Sequence, residues 1–341
     1  MEDSLTGSRS NSGIALLAVL WLAAALSAIA LTIANTVRGE TERSSTDADG
    51  LKTYYLASGA IDRMLLYIDQ RDGFRTPDNK PIFQDNTRVV QLQFPTGIVT
   101  GEIIPETSKL SVNMATPREL SNLILALGVE PDQAQQIVAG ILDWRGPTQG
   151  GSFSEWDQYY MSLTPSFRSR HASFQEIEEL LLVRGVTPDL FYGSYTRDAQ
   201  GQLTPRPGLR DCLSVYGSEG PFDVGTVQPA VMQAIGIPAE VASAIVVLRT
   251  ATPIGSIDQL APFKNSGPGV GRLGIERLAT GRPIVTVRAT AQLRLSNGQL
   301  SDLRRSVSAL VKILDLYSSL YNPARPPYHV LRWYDNTVPL Q

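Results

Sequence analysis

The sequence predicts an α+β fold: a long hydrophobic N-terminal helix, a small antiparallel sheet, and a large helical insertion between the strands of that sheet. Three observations predict it. Residues Gly13 to Ala34 form one uncharged apolar run. Two alternating segments, at 89–104 and 284–313, lie far apart in the chain. Between them the pattern turns helical and contains two copies of a helix, a glycine turn and a second helix.

The apolar run comes first. As a helix its 22 residues span about 33 Å, enough to cross a bilayer core. A secretory signal has a shorter apolar stretch of about 7–15 residues behind a basic one. Here the leader carries Glu2 and Asp3 against Arg9 alone, so the run reads as an anchor. The helical pattern then continues. Thr36 to Ile68 contains no proline, and Leu51, Tyr54, Tyr55, Ala57, Ile61, Met64, Leu65 and Ile68 recur at three- and four-residue steps. One helix therefore runs from Ile14 to near Asp69. Its first half is suited to lipid and its second half to a folded domain.

Residues 70–88, rich in Pro, Asp and Asn, read as a loop. Val89 to Phe94 alternates as a strand, and Gly97 to Ile104 is its partner across Pro95-Thr96-Gly97. The helical block spans Leu110 to Leu278. Ile284 to Leu295 alternates strongly, Asn297-Gly298 suggests a two-residue type I′ turn, and Leu303 to Ile313 is the return strand. Arg288, Arg294, Arg304 and Arg305 read as the wet face of that hairpin. Strands so distant can share one sheet if the helical block is an insertion.

Within the block, Val112 to Leu120 can be laid over Val224 to Met232. Leu127-Gly128-Val129 and Ile235-Gly236-Ile237 follow, and the second helices end at Arg145 and Arg249. Pro117 and Pro229 sit near first helical positions, with Thr116 as an N-cap. The units resemble the helix-hairpin-helix fold, which grips DNA phosphates through glycine N–H groups and nearby Lys or Arg. Here Glu130-Pro131-Asp132 and Pro238-Ala239-Glu240 put acids and prolines where phosphate would sit. That favours packing over DNA binding.

Composition excludes other classes. The chain has 341 residues, 43% of them hydrophobic, and a net charge of −3, so nucleic acid is not indicated as the main partner. Cys212 is the single cysteine, permits no intrachain disulfide and is expected to be a buried thiol. Gly269-Val270-Gly271-Arg272-Leu273-Gly274 matches a dinucleotide fingerprint as a string, but Arg294 stands where the ribose-binding acid belongs; it reads as a mobile glycine loop. His171 and His329 show no nucleophile or metal partner in the sequence. No enzyme is indicated.

Taken with the run that starts at a glycine, this layout resembles a type IV pilin or pseudopilin. The resemblance implies cleavage by prepilin peptidase between Gly13 and Ile14 and methylation of Ile14. Most such proteins carry a glutamate at the fifth mature position, which falls on Ala18 here. A carboxylate in the bilayer costs about 2.5–3.5 kcal/mol and needs a partner. A subunit with nothing ahead of it in the filament has no such partner. The chain resembles the K-type minor pseudopilin of the type II secretion system. Asn113-x-Ala115-Thr116-Pro117-Arg118-Glu119-Leu120, Asp143-Trp144-Arg145, Tyr159-Tyr160-x-x-Leu163-x-Pro165, Glu178 to Pro188, and Tyr328-x-Val330-Leu331-x-Trp333 are similar to that family's segments, in its order.

The resemblance implies a leader at 1–13, a transmembrane pilin helix at 14–69, a pilin-like α/β domain at 70–109 and 281–341, and an inserted α-domain at 110–280. It implies a single-pass protein of the bacterial inner membrane with its soluble domain in the periplasm. The expected partners are the I-type and J-type minor pseudopilins, prepilin peptidase, the inner-membrane secretion platform, and the secretin or cargo. Docking is expected through Leu51, Tyr54, Tyr55, Ile61 and Leu65. No cofactor is required; calcium, if present, would be held by Asp143, Glu155 and Asp157 around the loop Gly146 to Ser154. Two other functions fit less well: a minor pilin of a DNA-uptake filament, and a singly anchored periplasmic enzyme.

Overall fold

A computed structural model describes residues 12–70, 73–75, 78–79, 81–147, 153–197, 201, 203–278, 283–314 and 327–335. The leader residues 1–11 lie outside them. The chain divides into two units, Met1–Lys52 and Thr53–Gln341.

The described residues of the first unit are helical. Helix α1 (Ser12–Asp69) begins in it, and from residue 15 to 48 every side chain is exposed. An apolar helix exposed all round has nothing to bury against in water and is suited to lipid. Its polar residues are satisfied locally. The Thr32 hydroxyl donates to the Ala28 carbonyl at 2.8 Å and that of Thr36 to the Thr32 carbonyl at 2.9 Å. The helix is long and apolar enough to cross a membrane.

The second unit contains the last turns of α1, a sheet and the insertion. Strands β1 (Val89–Phe94) and β2 (Gly97–Pro105) form a hairpin. The insertion then supplies β3 (Leu110–Ser111), α2 (Pro117–Ala126), α3 (Pro131–Arg145), α4 (Glu155–Met161) and α5 (Pro188–Tyr192). It continues through β4 (Ser194–Arg197), β5 (Leu203–Arg206), α6 (Leu209–Cys212), β6 (Leu213–Ser214) and β7 (Phe222–Asp223). Helices α7 (Pro229–Ala234) and α8 (Ala239–Ala251) precede β8 (Leu273–Gly274). The chain then returns to the sheet as β9 (Ile284–Arg294), β10 (Leu300–Ile313) and β11 (Tyr328–Tyr334). The sheet is antiparallel with order β1-β2-β9-β10-β11, so β2 and β9 are neighbours despite the insertion between them.

Alternation decides what packs where. Val99 and Ile103 on β2, Val285, Val287, Ala289 and Ala291 on β9, and Val307, Ala309 and Val311 on β10 form one core with Ala57, Ala60, Ile61, Met64, Leu65 and Ile68 of α1. Gly101 lets Met64 press on the sheet, since a Cβ there would lie 2.1 Å from the Met64 sulfur. The insertion has its own core, built around Leu120, Leu123, Ile137, Ile141, Trp144, Tyr160, Phe191, Phe222, Val231 and Ile245.

The structure corrects four expectations. First, the 110–278 block is not wholly helical. It contains the β4–β5 hairpin and 3₁₀ turns at Ile177–Leu182, Ile257–Phe263 and Pro268–Arg272. Second, the β9–β10 loop is not a two-residue type I′ turn. Only Gly298 has positive φ (83°); the Gly298 N–H donates to the Leu295 carbonyl at 2.9 Å and the Leu295 N–H to the Gln299 carbonyl at 2.8 Å. That is a three-residue loop closed by a left-handed glycine. Third, Arg288 is 4% exposed, because the insertion covers the sheet face opposite α1. Arg294 and Arg304 are exposed as expected, and Arg305 lies 5.8 Å from the Tyr54 ring. Fourth, the Gly269–Gly274 stretch is packed rather than mobile: Val270 is 6% exposed.

Candidate functional site

The residues expected to mediate docking do not share one surface. Leu51, in the first unit, is 56% exposed. In the second unit Tyr55 is 65% exposed, whereas Ile61 and Leu65 are 0% and 2% exposed. This corrects the assignment of Ile61 and Leu65: they are consumed by the chain's own sheet. Burying such side chains is worth about 1.5–3 kcal/mol each, so they serve the fold before any partner. Tyr54 is half-buried. Its hydroxyl donates to Asp335 Oδ1 at 3.0 Å, and that bond, with burial, raises its pKa. Tyr54 thus anchors the residue that follows β11. Ala18 is exposed within the apolar run. The backbone of Gly13 and Ile14 lies in the first turn of α1, whose described helix begins at Ser12.

Of the three acids considered for calcium, two come together and Glu155 stands apart. Asp143, near the end of α3, and Asp157, in the first turn of α4, both lie 3.1 Å from Ser169 Oγ and share its single proton. Asp157 is fully buried and also accepts from the Ser154 N–H (3.2 Å) and His171 Nε2 (2.9 Å). His171 Nδ1 faces the Asp143 carbonyl at 3.2 Å. With acceptors on both ring nitrogens the imidazolium form is the matched one. Burial lowers the His171 pKa, but the hydrogen bond and charge of Asp157 outweigh it and the net shift is upward. Burial would raise the Asp157 pKa; the His171, Ser154 and Ser169 hydrogen bonds together bring it below the usual carboxylate range. Glu155 is exposed and takes no part in this cluster. Among the described residues no three His, Cys, Asp or Glu side chains converge as a metal site. Two carboxylates already engaged by protein donors fall short of the six to eight oxygens calcium takes. The loop between α3 and α4 is described only in part, since 148–152 lie outside the described residues.

The motif residues of α3 each secure a different segment. Trp144 Nε1 donates to Glu179 at 3.0 Å. The Arg145 guanidinium donates to the Val112 and Ala115 carbonyls at 2.7 and 2.6 Å. In the second unit of the repeat, Arg249 donates likewise to the Val224 and Val227 carbonyls at 3.1 and 2.7 Å. Both first helices end in the same cap. Gly128 and Gly236 are left-handed (φ 75° and 94°), and the N–H groups of Val129 and Ile237 reach back to Ile124 and Met232. The internal repeat is therefore a structural duplication.

Other segments of this chain pack at both glycine turns, although Gly128 itself is exposed, and the N–H groups of Gly128 and Val129 are used within their own cap. A Cβ on Gly128 would lie 2.0 Å from an Arg206 nitrogen. Pro268 packs at Gly236, and Gly269 approaches the Ile235 carbonyl so closely that a Cβ would stand 2.5 Å from it. Here the dinucleotide-like glycines allow two backbones to touch. Neither turn offers the free N–H cradle that phosphate binding needs.

Sequence reasoning missed the charged groups that join insertion to sheet. Arg88 and Asp223 form a buried bidentate pair at 3.1 and 2.8 Å, and the Arg88 guanidinium also donates to the Glu276 carbonyl at 2.6 Å. Arg288 lies 3.3 Å from Asp211 and 3.5 Å from Glu102. Thr286 donates to Glu106 at 2.6 Å, and Arg332 pairs with Glu176 and Glu178. The outward polar residues of β9 were visible in the alternation; their partners, far away in sequence, were not.

Residues 102–192 match the family model described as type II secretion system (T2SS), protein K, first domain. The chain is 28% identical over 205 residues to the type II secretion system protein K of Pectobacterium carotovorum subsp. carotovorum, a match that spans 52% of this chain and 60% of that protein's length. Among solved structures it is similar to the GspK-GspI-GspJ complex from the enterotoxigenic Escherichia coli type 2 secretion system. That likeness has 12% identity, covers 86% of this chain and 99% of the other, and has a TM-score of 0.49.

Proposed function

We propose, from the match of residues 102–192 to the type II secretion system protein K family model, that the chain is a minor pseudopilin at the tip of the secretion pseudopilus. In this reading α1 anchors the protein in the inner membrane, the sheet and insertion stand in the periplasm, and the protein supports export across the outer membrane. The observation that carries it is α1: a helix exposed and apolar at one end, whose other end packs on an antiparallel sheet interrupted by a large insertion. Filament subunits of this kind need a lipid-soluble rod and a folded head. Ala18 supports a position with no subunit ahead, because the membrane carboxylate that would need a partner is missing.

The proposed partners are an I-type and a J-type minor pseudopilin, with prepilin peptidase as the processing enzyme. Leu51 and Tyr55 are the proposed contacts, and Ile61 and Leu65 are withdrawn from that role. The reading requires neither a reaction catalysed by this chain nor a cofactor. Intact-mass measurement of the membrane-extracted protein tests it. Loss of residues 1–13 with gain of one methyl group is expected. A mature chain still beginning at Met1 would overturn the reading.

A further inference from the structure

We propose that the insertion is a body hinged on the sheet, with the Arg88–Asp223 pair as its pivot and the contact of Arg332 with Glu176 and Glu178 as a latch that can open.

Four observations carry this, and none depends on the secretory reading. The two hydrophobic cores are separate clusters, one of α1 and sheet and one of the insertion. Apolar packing therefore does not weld the bodies together. The sheet face turned to the insertion is mostly polar: Thr286, Arg288, Thr290, Ser306 and Ser308 line it with Leu310 as an apolar member, and Glu106 and Lys109 of the turn after β2 and Asp211 of the insertion pack there. Polar interfaces of this type let domains move unless something fixes them.

The fixing contacts are unequal. At the pivot, Arg88 and Asp223 are 9% and 1% exposed, and Asp223 also accepts from the Glu276 N–H at 2.9 Å and the Thr226 hydroxyl at 2.9 Å. A buried bidentate pair so well satisfied does not open without a large cost. At the latch, the Arg332 and Glu176 side chains are 37% and 56% exposed. An exposed pair of this sort is worth about 0–1 kcal/mol and is screened by salt.

Beside the latch the two bodies leave a cavity of about 80 Å³, lined by Lys109, Arg210, Asp211, Thr286, Arg332 and Tyr334 among others. Arg288 Nε and Nη1 and Glu178 Oε2, all buried, make no hydrogen bond, and their ion pairs are long: Arg288 Nη1 lies 3.5 Å from Glu102 and Glu178 Oε2 lies 3.6 Å from Arg332. Loose pairing on one side of the joint, and a closed bidentate pair on the other, marks the side that can part. The latch strand β11 is itself the edge strand of the sheet, with His329, Val330 and Leu331 exposed and its other residues half-buried.

The test uses the detergent-extracted full chain with nitroxide labels at Val247→Cys on α8 and Leu303→Cys on β10, both surface positions. Cys212 is buried and stays unlabelled. At about 0.1 M salt, where charges are felt over about 10 Å, one dominant distance is expected. Arg332→Ala should broaden the distribution and add a second distance, and raising salt to about 1 M should do the same to the parent chain. The proposal is overturned if neither change alters the distribution. It is equally overturned if the parent at low salt is already as broad as the variant.

Discussion

At the scale of the residue, the buried ion pair is the most exposed to test. Asp223→Ala leaves Arg88 charged and buried with no counter-ion, which costs about 3–5 kcal/mol. Urea unfolding of the variant should show that loss. Glu119 gives a pH signature. Burial acts to raise its pKa, but the Thr116 backbone hydrogen bond and Arg272 outweigh it and the net shift is downward. Its contribution to stability is therefore complete above its ordinary value of 4.5 and declines as pH falls through the lower folded value. Glu119→Gln should narrow the stability gap between pH 7 and pH 3, read by thermal melts at both. Gly269→Ala places a Cβ 2.5 Å from the Ile235 carbonyl, so loss of stability, and no change in nucleotide affinity, is the expected result of melting and binding assays. Much at this scale was hidden from sequence. Arg88 and Asp223 stand 135 positions apart, and no local pattern pairs them. By contrast Thr116 announced itself as an N-cap, because capping is local; its Glu119 partner completes the box in the structure.

At the scale of the element, α1 divides by what covers it. Ile61→Ala removes a side chain fully enclosed by the sheet and should cost about 2–5 kcal/mol. Tyr55→Ser touches an exposed site and should change stability by less than about 0.5 kcal/mol. If Tyr55 is a contact, the same variant should lose co-purification with the partner pseudopilins; equal recovery would exclude it. The periodicity of the helix was plain in the sequence. Which part of its stripe the protein keeps for itself was not, since spacing identifies a face and says nothing about its occupant. The strands β9 and β10 were legible for a related reason: one face is apolar, and alternation reports that directly. Strand β11 was noticed only as a resemblance, because Tyr328 to Tyr334 mixes aromatic, apolar and charged residues without a clean alternation. The four-residue strands β4 and β5 carry too little pattern to be read at all.

At the scale of the whole molecule, the bracket of strands around a helical block was the decisive signal: it put both segments in one sheet, and the structure sets β2 against β9. What it could not convey is that two hydrophobic cores result. Two cores joined by a polar layer should not melt as one. Trp144 reports on the insertion and Trp333 on the sheet, so single-tryptophan variants retaining one or the other should unfold at different denaturant concentrations. Coincident transitions would mean that the charged layer couples the cores fully.

The adjacency of β2 and β9 also sets an order of events during biosynthesis. Pro105 leaves the ribosome long before Ile284 is made. At about 5–20 residues per second the first hairpin must wait roughly 9–36 s for its neighbour. Through that interval its open strand edge and the greasy flank of α1 are unprotected. The interrupting segment, complete in itself, has time to fold first, so the nascent head matures from its middle outward.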